Sequence, residues 1–299
     1  MPSLTRRNFI YGSSLAAGVG ALGLSEYSSV VEPNHPRLVR VEVPIRRLPE
    51  AFDGFTILQL TDFHYDPLFS AVPIRRGIEM ANSLNPDLVV LTGDFVTIPV
   101  WADLLNDKKQ AAAASEPCSE ILSTLRSKLG SIAVLGNHDR DSDGPRVRKS
   151  LESKEVKVLQ NSNHLIEREG ARLWMAGIDD AVEGKPDIAQ TLKGIPADEA
   201  VILLAHEPDF ADEAVKHAID LQLSGHSHGG QIWIPGIGAP WLPFGAEKYP
   251  RGLYRFGPVT LYTSFGIGTI RLHVRLNCPP EVTLFTLKSG DGSPSVSIV

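Results

Sequence analysis

The hydrophobic pattern of the chain is dominated by short apolar runs rich in valine, isoleucine and leucine. Runs of this kind predict β-strands that are buried on both faces. Residues 38–45 alternate between apolar and polar instead, which is typical of an exposed or edge strand. The predicted strands are 38–45, 55–60, 88–91, 132–135, 164–168 and 173–176, two strands that end at His206 and Ser224, and several short strands between 252 and 287.

Segments with helical composition lie between these strands. Pro145 favours a helix that starts near it, because proline fits the first helical turn. A break is predicted at Pro117, inside a longer helical region. The predicted helices are 74–84, 101–127, 145–153, 187–192 and 209–217. Alternating strands and helices indicate an α/β fold, and we expect four layers in which two mixed β-sheets pack face to face with helices outside.

Five of the predicted strands are followed by side chains that bind metals. Polar groups just past the carboxyl ends of neighbouring strands meet at one edge of a sheet, so we expect these side chains to lie together. Aspartate, asparagine and histidine, without cysteine, suit Mn, Fe, Zn or Co. The side chains are Asp62, His64, Asp94, Asn137, His138, His206, His226 and His228.

Glycine stands immediately before Asp94, Asn137 and His226. Because glycine lets the backbone turn sharply, the carboxylate of Asp94 is expected to reach between two ions. Asn137 offers an amide oxygen to a metal, and His138 is then placed to point past it. A pair of histidines separated by one residue follows the last of these strands, at 226 and 228. The pattern predicts a metal site built from several strands.

The bulk properties exclude some partners. The 299 residues suffice for one large α/β domain or two small ones. The formal net charge is −6 at pH 7, and no basic stripe is present, so duplex nucleic acid is not an expected partner. Cys118 and Cys278 lie far apart without a CxxC spacing, which favours two unpaired thiols over a disulfide.

The N-terminus has the pattern of an export signal. Arg6 and Arg7, with Phe9 two residues on, precede an apolar stretch rich in glycine and serine, which resembles a bacterial twin-arginine signal. A Sec signal or an amphipathic segment is the alternative. We expect residues 1–25 to engage the twin-arginine translocase and place the protein in the periplasm or another extracytoplasmic location. No clear cleavage site is present. Both removal of the segment and its retention as a membrane anchor therefore stay open. Residues 26–36 are predicted to be a linker, and 37–299 a single domain.

In chain order, the motifs D-x-H, GD, GNHD, H and GHSH resemble the calcineurin-like metallophosphoesterase family, from about residue 55 to residue 287. The resemblance implies the four-layer metallophosphoesterase sandwich and a phosphoester hydrolase that uses two divalent metal ions. It assigns one ion to Asp62, His64 and His228, the other to Asn137, His206 and His226, and a bridging position between the two ions to Asp94.

The same resemblance implies roles in the reaction. Two ions about 3.5–4 Å apart lower the pKa of a bridging water and hold the phosphate oxygens. His138 is the candidate general acid for the leaving alkoxide, or a group that stabilises the charge developing there. Asp139 either orients His138 or has only a structural role in the turn.

Other motifs narrow the reaction. Protein phosphatases of this superfamily carry a GD-x-x-D-R stretch and glutamate after GNH, and both are missing here, so that activity is disfavoured. The chain is more similar to exported bacterial phosphodiesterases, including enzymes that resemble UDP-2,3-diacylglucosamine pyrophosphatase. The shared stretches are HEPD at 206–209, GHSHGGQI at 225–232, KYPRG at 248–252 and RLNCPPE at 275–281.

The loop 232–244 bears on the substrate. Trp233, Trp241 and Phe244 favour peripheral contact with a membrane or a groove for an acyl chain, and the alternative is a loop packed on the domain's own core. The expected substrate is a small-molecule or lipid phosphodiester. Two other hypotheses stay open: a non-catalytic scaffold of this fold, and a nucleotide phosphodiesterase.

Overall fold

A computed structural model of the chain describes residues 6–99 and 108–299. The strands are β1 (Arg37–Ile45), β2 (Thr56–Leu60), β3 (Leu88–Thr92), β4 (Ser131–Val134), β5 (Val156–Val158), β6 (Ser162–Arg168), β7 (Ala171–Gly177), β8 (Ala200–Leu204), β9 (Leu221–Ser224), β10 (Gly252–Phe256), β11 (Val259–Thr263), β12 (Glu281–Ser289) and β13 (Ser295–Ile298). The α-helices are α1 (Arg6–Glu26), α2 (Ala71–Leu84), α3 (Ser115–Leu122), α4 (Asn137–Glu152), α5 (Ile188–Thr191) and α6 (Ala211–Ala214).

The strands form two mixed sheets. The first has seven strands in the order β13-β1-β12-β2-β3-β4-β5, and β2 to β5 run parallel to one another. The second has six strands in the order β10-β11-β9-β8-β7-β6, with β11, β9, β8 and β7 parallel. Parallel neighbours place their carboxyl ends at one edge, which is where ligands bind in such sheets.

The main core lies between the two sheets. It joins Val90 and Val134 of the first sheet to Leu204 and Leu223 of the second. The outer face of the first sheet packs against α2, α3 and α4, and that of the second packs against α5 and α6. Both faces of each sheet are therefore buried, which explains the continuous apolar runs. The predicted four-layer sandwich is confirmed.

The two sheets also meet through one polar side chain close to their carboxyl ends. Gln59 on β2 is fully buried, and its Nε2 donates to Thr92 Oγ1 (2.8 Å) and to the carbonyl of Ser224 (3.0 Å). Ser224 ends β9 in the opposite sheet. These bonds hold the ends of β2, β3 and β9 together below the candidate ligands.

The helix predicted at 145–153 begins earlier than expected. It starts at Asn137 and contains a break at Asp143, where φ is −148° and ψ is 80°. The Asp143 carboxylate accepts the N–H of Arg146 (3.2 Å), so Pro145 begins a second helical stretch rather than the helix itself. The proline was the visible signal in the sequence, whereas the observed start at Asn137 depends on tertiary contacts of Asp139, described below.

Other elements differ in extent. Residues 100–107 of the predicted helical region lie outside the described part. The remainder forms a 3₁₀ segment, Lys108–Ala114, followed by α3, and Pro117 lies within the first turn of α3 instead of breaking it. The helices predicted at 187–192 and 209–217 are single turns, with a 3₁₀ turn at Pro208–Phe210 before the second. The short strands β5 and β13 were not predicted.

The predicted linker, residues 26–36, packs on the domain. A π-helical turn, Tyr27–Val31, and a 3₁₀ turn, Glu32–Asn34, follow α1 without interruption. Glu32 is buried, and its Oε1 accepts the N–H of Cys278 (2.6 Å). The polar, proline-containing composition indicated a solvated segment, but one of its acids meets a buried backbone donor. Cys278 and Cys118 are both buried and unpaired, as predicted. In the described part of the chain, no helix combines the length and the hydropathy needed to cross a membrane.

Candidate metal centre

The predicted ligands converge at the shared edge of the two sheets. Three groups of side chains place their ligand atoms within 4.8 Å of one another. These groups are Asp62 with His64 and His228, Asp94 with His206 and His226, and His64 with Asp94 and His138. The first two groups match the two ion sites that the family resemblance implies, apart from Asn137.

Asp94 lies between the two groups. Its Oδ2 is 3.3 Å from Nε2 of His64 and 3.3 Å from Nε2 of His206. Its Oδ1 accepts the backbone N–H of His138 (3.0 Å), which fixes the carboxylate. Burial opposes its ionisation, but the charge of His206 and the contacts from the His206 and His64 rings hold the pKa of Asp94 well below its usual range. One ionised carboxylate therefore faces both groups of ligands.

Several candidate ligand atoms lie close together, and Oδ2 of Asp62 and Nε2 of His206 are buried without a hydrogen-bond partner among the described residues. Nε2 of His64 and Nε2 of His228 are 3.0 Å apart, and Oδ1 of Asp62 is 3.6 Å from the same His228 nitrogen. Oδ1 of Asn137 is buried and has no hydrogen-bond partner among the described residues. Buried polar atoms in this arrangement are costly unless something binds them. An amide oxygen, carboxylates and imidazoles form a donor set suited to divalent transition metals.

The outer nitrogens of the histidines are held by neighbouring groups. A histidine that binds a metal commonly donates its other ring N–H to a carbonyl or a similar group, which sets the tautomer. The inward nitrogen is then free to act as a ligand. The outer contacts are His64 Nδ1 to Thr97 Oγ1 (3.1 Å), His206 Nδ1 to the carbonyl of Thr92 (2.7 Å), and His226 Nε2 to the carbonyl of Phe244 (2.9 Å).

The backbone of most ligands is in the left-handed region. Residues other than glycine adopt positive φ rarely, at a cost of roughly 1 kcal/mol or more, although aspartate and histidine tolerate it better than most. Each strand thus ends in a sharp turn that aims its ligand across the sheet edge, and the motif alone did not reveal this strain. The φ values are 54° at Asp62, 41° at His64, 56° at Asp94, 69° at His226 and 52° at His228.

Glycine precedes candidate ligands for two different structural reasons. Gly93 has φ +101° and does make the predicted sharp turn. Gly136 is extended instead, and a Cβ there would lie 2.7 Å from Nε2 of His206 and still closer to Oδ1 of Asp94. Gly136 is therefore required for close approach of the ligands rather than for the turn.

Comparisons with known proteins agree with this geometry. The family model described as calcineurin-like phosphoesterase matches residues 55–230. The chain is 34% identical over 294 residues to the metallophosphoesterase YkuE of Bacillus subtilis, covering 97% of this chain and 99% of that protein. It is 30% identical over 290 residues to the phosphodiesterase YaeI of Escherichia coli, covering 95% and 99%. It is 32% identical over 280 residues to a zebrafish (Danio rerio) transmembrane protein with a metallophosphoesterase domain, covering 89% and 60%.

The chain belongs to the calcineurin-like phosphoesterase family. It is therefore a metallophosphoesterase, a hydrolase of a family that uses divalent metals. The family assignment made from the order of the motifs is confirmed.

In this phosphoesterase, His138 presents one ring nitrogen to the pocket. The backbone N–H of Ile98 donates to its Nδ1 (3.1 Å), so Nδ1 carries no proton and the neutral ring carries it on Nε2. Burial lowers the pKa of His138 to about 4, which agrees with a neutral ring. His138 lines the same pocket as Asp94 and Asn137. The ring is thus a hydrogen-bond donor directed at the metal centre.

Asp139 does not orient His138. It is fully buried, and its hydrogen bonds go to backbone N–H groups instead of to the His138 ring. The carboxylate joins the loop that carries Asp94 to the start of α4, which also explains why the helix begins at residue 137. Its bonds are Oδ2 to the N–H groups of Asp94 and Gly136 (both 2.9 Å), and Oδ1 to those of Phe95 (2.9 Å) and Val96 (3.2 Å).

Sequence reasoning missed the role of Arg275. This side chain is fully buried, and it donates to the carbonyls of Phe265 (2.9 Å), Gly268 (3.1 Å) and Cys278 (2.8 Å). The N–H of Gly268 in turn donates to the carbonyl of Asp62 (2.8 Å). Arg275 therefore supports the loop beneath a metal ligand. The RLNCPPE stretch was noted only as a family feature, and an arginine inside it gave no indication of complete burial.

The aromatic loop 232–244 divides into packed and exposed parts. Trp233 is half-buried, and the Arg251 guanidinium lies 4.3 Å from the centre of its indole ring. Trp241 and Phe244 are exposed, at 51% and 73%, and both line the metal pocket. The packed and the exposed alternatives each describe part of the loop.

Proposed function

We propose that this protein is a phosphodiesterase that hydrolyses its substrate at a centre of two divalent metal ions. The observation that carries the proposal is the position of Asp94, whose Oδ2 is equidistant from histidines of two separate ligand groups. A carboxylate shared in this way is what offsets the repulsion between two closely spaced cations.

The residues present fit two ions. Two such ions, when bound, supply an activated water and neutralise charge on the phosphate oxygens. Asn137 is not part of the carboxylate and histidine groups, but it lines the same pocket as Asp94, and its Oδ1 is buried without a hydrogen-bond partner among the described residues, which supports its assignment to the second set. The proposed sets are Asp62, His64 and His228 for one ion and Asn137, His206 and His226 for the other, with Asp94 common to both.

His138 is proposed to act on the leaving group. Its Nε2–H faces the pocket, because Ile98 occupies Nδ1. A neutral imidazole of this tautomer stabilises the charge that develops on the leaving oxygen by hydrogen bonding. Of the two roles implied by the sequence, charge stabilisation fits this tautomer better than transfer of a proton from an imidazolium.

The pocket favours a diester over a monoester. Among the described residues that line it, Arg271 is the only arginine or lysine. A phosphomonoester dianion needs more cationic contacts than a diester, which carries a single charge. The name of the Escherichia coli relative, a phosphodiesterase, supports the same choice. No predicted metal ligand is missing, which argues against a non-catalytic scaffold.

A substrate panel tests the proposal. Metal-free protein is reconstituted separately with Mn, Fe, Zn or Co and assayed on bis-p-nitrophenyl phosphate, p-nitrophenyl phosphate and a nucleotide-sugar pyrophosphate. We expect kcat/KM for the diester to exceed that for the monoester at least roughly tenfold, a difference of about 1.4 kcal/mol in transition-state stabilisation. Inactivity of every reconstituted form on all esters would contradict the enzyme assignment.

A pyrophosphatase acting on a lipid-bearing nucleotide sugar is the second candidate. The observation in its favour is an apolar groove that continues from the metal pocket, described next. Hydrolysis of the nucleotide-sugar pyrophosphate in the panel at a rate above that of the diester would favour this candidate.

A further inference from the structure

An apolar groove opens beside the metal pocket. It has a volume of about 200 Å³ and is lined by Ile232, Pro240, Trp241, Ile270 and Leu272. None of these residues has a role in the chemistry proposed above. An apolar surface of this kind next to a reaction centre favours an apolar ligand, because binding removes the surface from water.

The groove is continuous with the metal pocket. Four residues line both, and one of them is a proposed metal ligand. A molecule whose phosphate lies at the metal centre can therefore extend directly into the groove. The shared residues are His228, Trp241, Ile270 and Arg271.

The groove is built by the turn that carries a metal ligand. Gln231 follows the turn at His228 and adopts φ +59°. Its Nε2 donates to the carbonyls of Ile270 (3.2 Å) and Leu272 (3.0 Å), and its Oε1 accepts the N–H of Ile270 (2.8 Å). One side chain thus fixes the opposite wall in place. The groove is preformed, and its position relative to the metal centre is set.

A cation marks the junction of groove and pocket. Arg271 lies over the ring of Trp241, 4.7 Å from the ring centre, and lines both cavities. An arginine at this point matches the single negative charge of a phosphodiester. The charge and the apolar wall therefore fit two neighbouring parts of one amphiphilic molecule.

The rim around the groove is apolar as well. Leu272 is 66% exposed, and Leu68 and Phe69 on the loop after His64 are also exposed. The ring of Phe69 contacts His273, with 5.0 Å between the ring centres, so the two loops adjoin. Large exposed apolar side chains grouped at the mouth of a site indicate a ligand with a hydrocarbon part.

We propose that the groove binds the hydrocarbon chain of a lipid phosphodiester whose phosphate lies at the metal centre beside Arg271. This inference rests on the proposed phosphodiesterase function and names the class of its substrate. The groove then acts as a specificity site, because each methylene buried against its wall adds to binding of the substrate.

A series of chromogenic diesters tests the inference. The metal-loaded full chain is assayed on p-nitrophenyl methyl, butyl and octyl phosphate, all below their critical micelle concentrations. The leaving group is common to all three, so a difference in kcat/KM reports the alkyl chain. A fully buried methylene gives up to about a fourfold gain, and we expect at least roughly a tenfold gain from methyl to octyl.

Two variants and a control locate the effect. Leu272→Asp places a charge on the exposed edge of the groove, and Trp241→Ala removes one wall, so the octyl-to-methyl ratio of kcat/KM should approach one in both. Leu129→Asp is the matched control, since Leu129 is 52% exposed and lies away from both cavities. Its ratio should equal that of the wild type.

The outcomes separate the two proposals. Failure to hydrolyse even bis-p-nitrophenyl phosphate would sink the proposed function. Hydrolysis of that ester with no dependence on chain length would overturn the groove assignment alone, as would an unchanged ratio in both groove variants. A preference that appears only when the octyl ester is embedded in phospholipid vesicles would assign the apolar rim to a membrane surface and likewise overturn it.

Discussion

Asp94 and His138 occupy different positions relative to the metal centre. The carboxylate of Asp94 contacts histidines of both ligand groups, whereas the ring of His138 is held by the backbone of Ile98 and presents a donor to the pocket. His138 also lies near His64 and Asp94, so by distance alone it could itself be a metal ligand. The tautomer decides between these roles, because a protonated Nε2 does not bind a metal.

Substitution of the two residues should therefore have unequal effects. Asp94→Ala removes the shared ligand, and we expect it to lose most bound metal and nearly all activity. His138→Ala should keep both ions and lose roughly 10²-fold or more in kcat, the usual effect of deleting a group that stabilises developing charge. Two measurements check this: the metal content per protein by inductively coupled plasma mass spectrometry, and kcat on bis-p-nitrophenyl phosphate. Equal metal loss in both variants would make His138 a ligand.

The sequence named seven candidate ligands, six of which the structure brings together in two groups, but it did not reveal their geometry. The motifs identify Asp62 or His226 by type and order, but nothing in the letters shows a backbone φ of 54° or 69°. Asp139 shows the same limit, since a carboxylate that follows GNH is equally compatible with a hydrogen bond to a histidine and with four bonds to backbone N–H groups. The choice between these two roles is made by the loop after β3, whose backbone N–H groups lie next to the Asp139 carboxylate in the folded chain.

At the scale of elements, apolar runs predicted the central strands well because burial on both faces leaves a continuous signal. Elements that depend on contacts distant in sequence were missed. The segment Glu32–Asn34 is ordered by the N–H of Cys278, which is 246 residues away from Glu32. The carbonyl of Ser28 similarly accepts the N–H of Arg275 (2.8 Å). The composition of a segment indicates its own conformational preference, but it does not show which distant residues the segment will contact.

These contacts link the N-terminal segment to the metal centre. Glu32 holds the loop around Cys278, and Arg275 in the same stretch donates to the carbonyl of Gly268, whose N–H donates to the carbonyl of Asp62. A buried N–H that loses its acceptor costs about 1–3 kcal/mol. We infer that Glu32 stabilises the fold and, through Asp62, one of the two proposed ion sites.

Glu32→Ala should therefore lower the free energy of unfolding by at least about 1 kcal/mol, and it should weaken binding of one metal equivalent. Denaturant unfolding and metal titration of the full chain measure the two effects. Glu26→Ala is the control, because Glu26 ends α1 in an exposed position one turn and a half earlier. If Glu26→Ala and Glu32→Ala behave alike, residues 27–34 do not support the site.

At the scale of the whole molecule, each proposed ion joins the two sheets. Asp62 and His64 follow a strand of the first sheet, and His228 follows a strand of the second. The other group likewise combines Asp94 from the first sheet with His206 from the second. The sequence predicted two sheets and a shared edge, but the pairing of ligands across sheets required the three-dimensional arrangement. Metal binding is thus expected to stabilise the sandwich as well as to supply chemistry.

Removal of the metals should lower Tm substantially. A ligand present at a hundredfold its Kd stabilises the folded state by about 2.7 kcal/mol, and 1 kcal/mol corresponds to roughly 2–4 °C in a domain of this size. With two ions that bind only the folded state, a chelator should lower Tm by roughly 10–20 °C, measured by calorimetry before and after chelation. Asp94→Ala, which lacks the shared ligand, provides the comparison, and its Tm should barely respond to the chelator. An equal chelator effect in wild type and Asp94→Ala would show that the stabilising metal binds elsewhere, because a site that joins the sheets through Asp94 is absent from the variant.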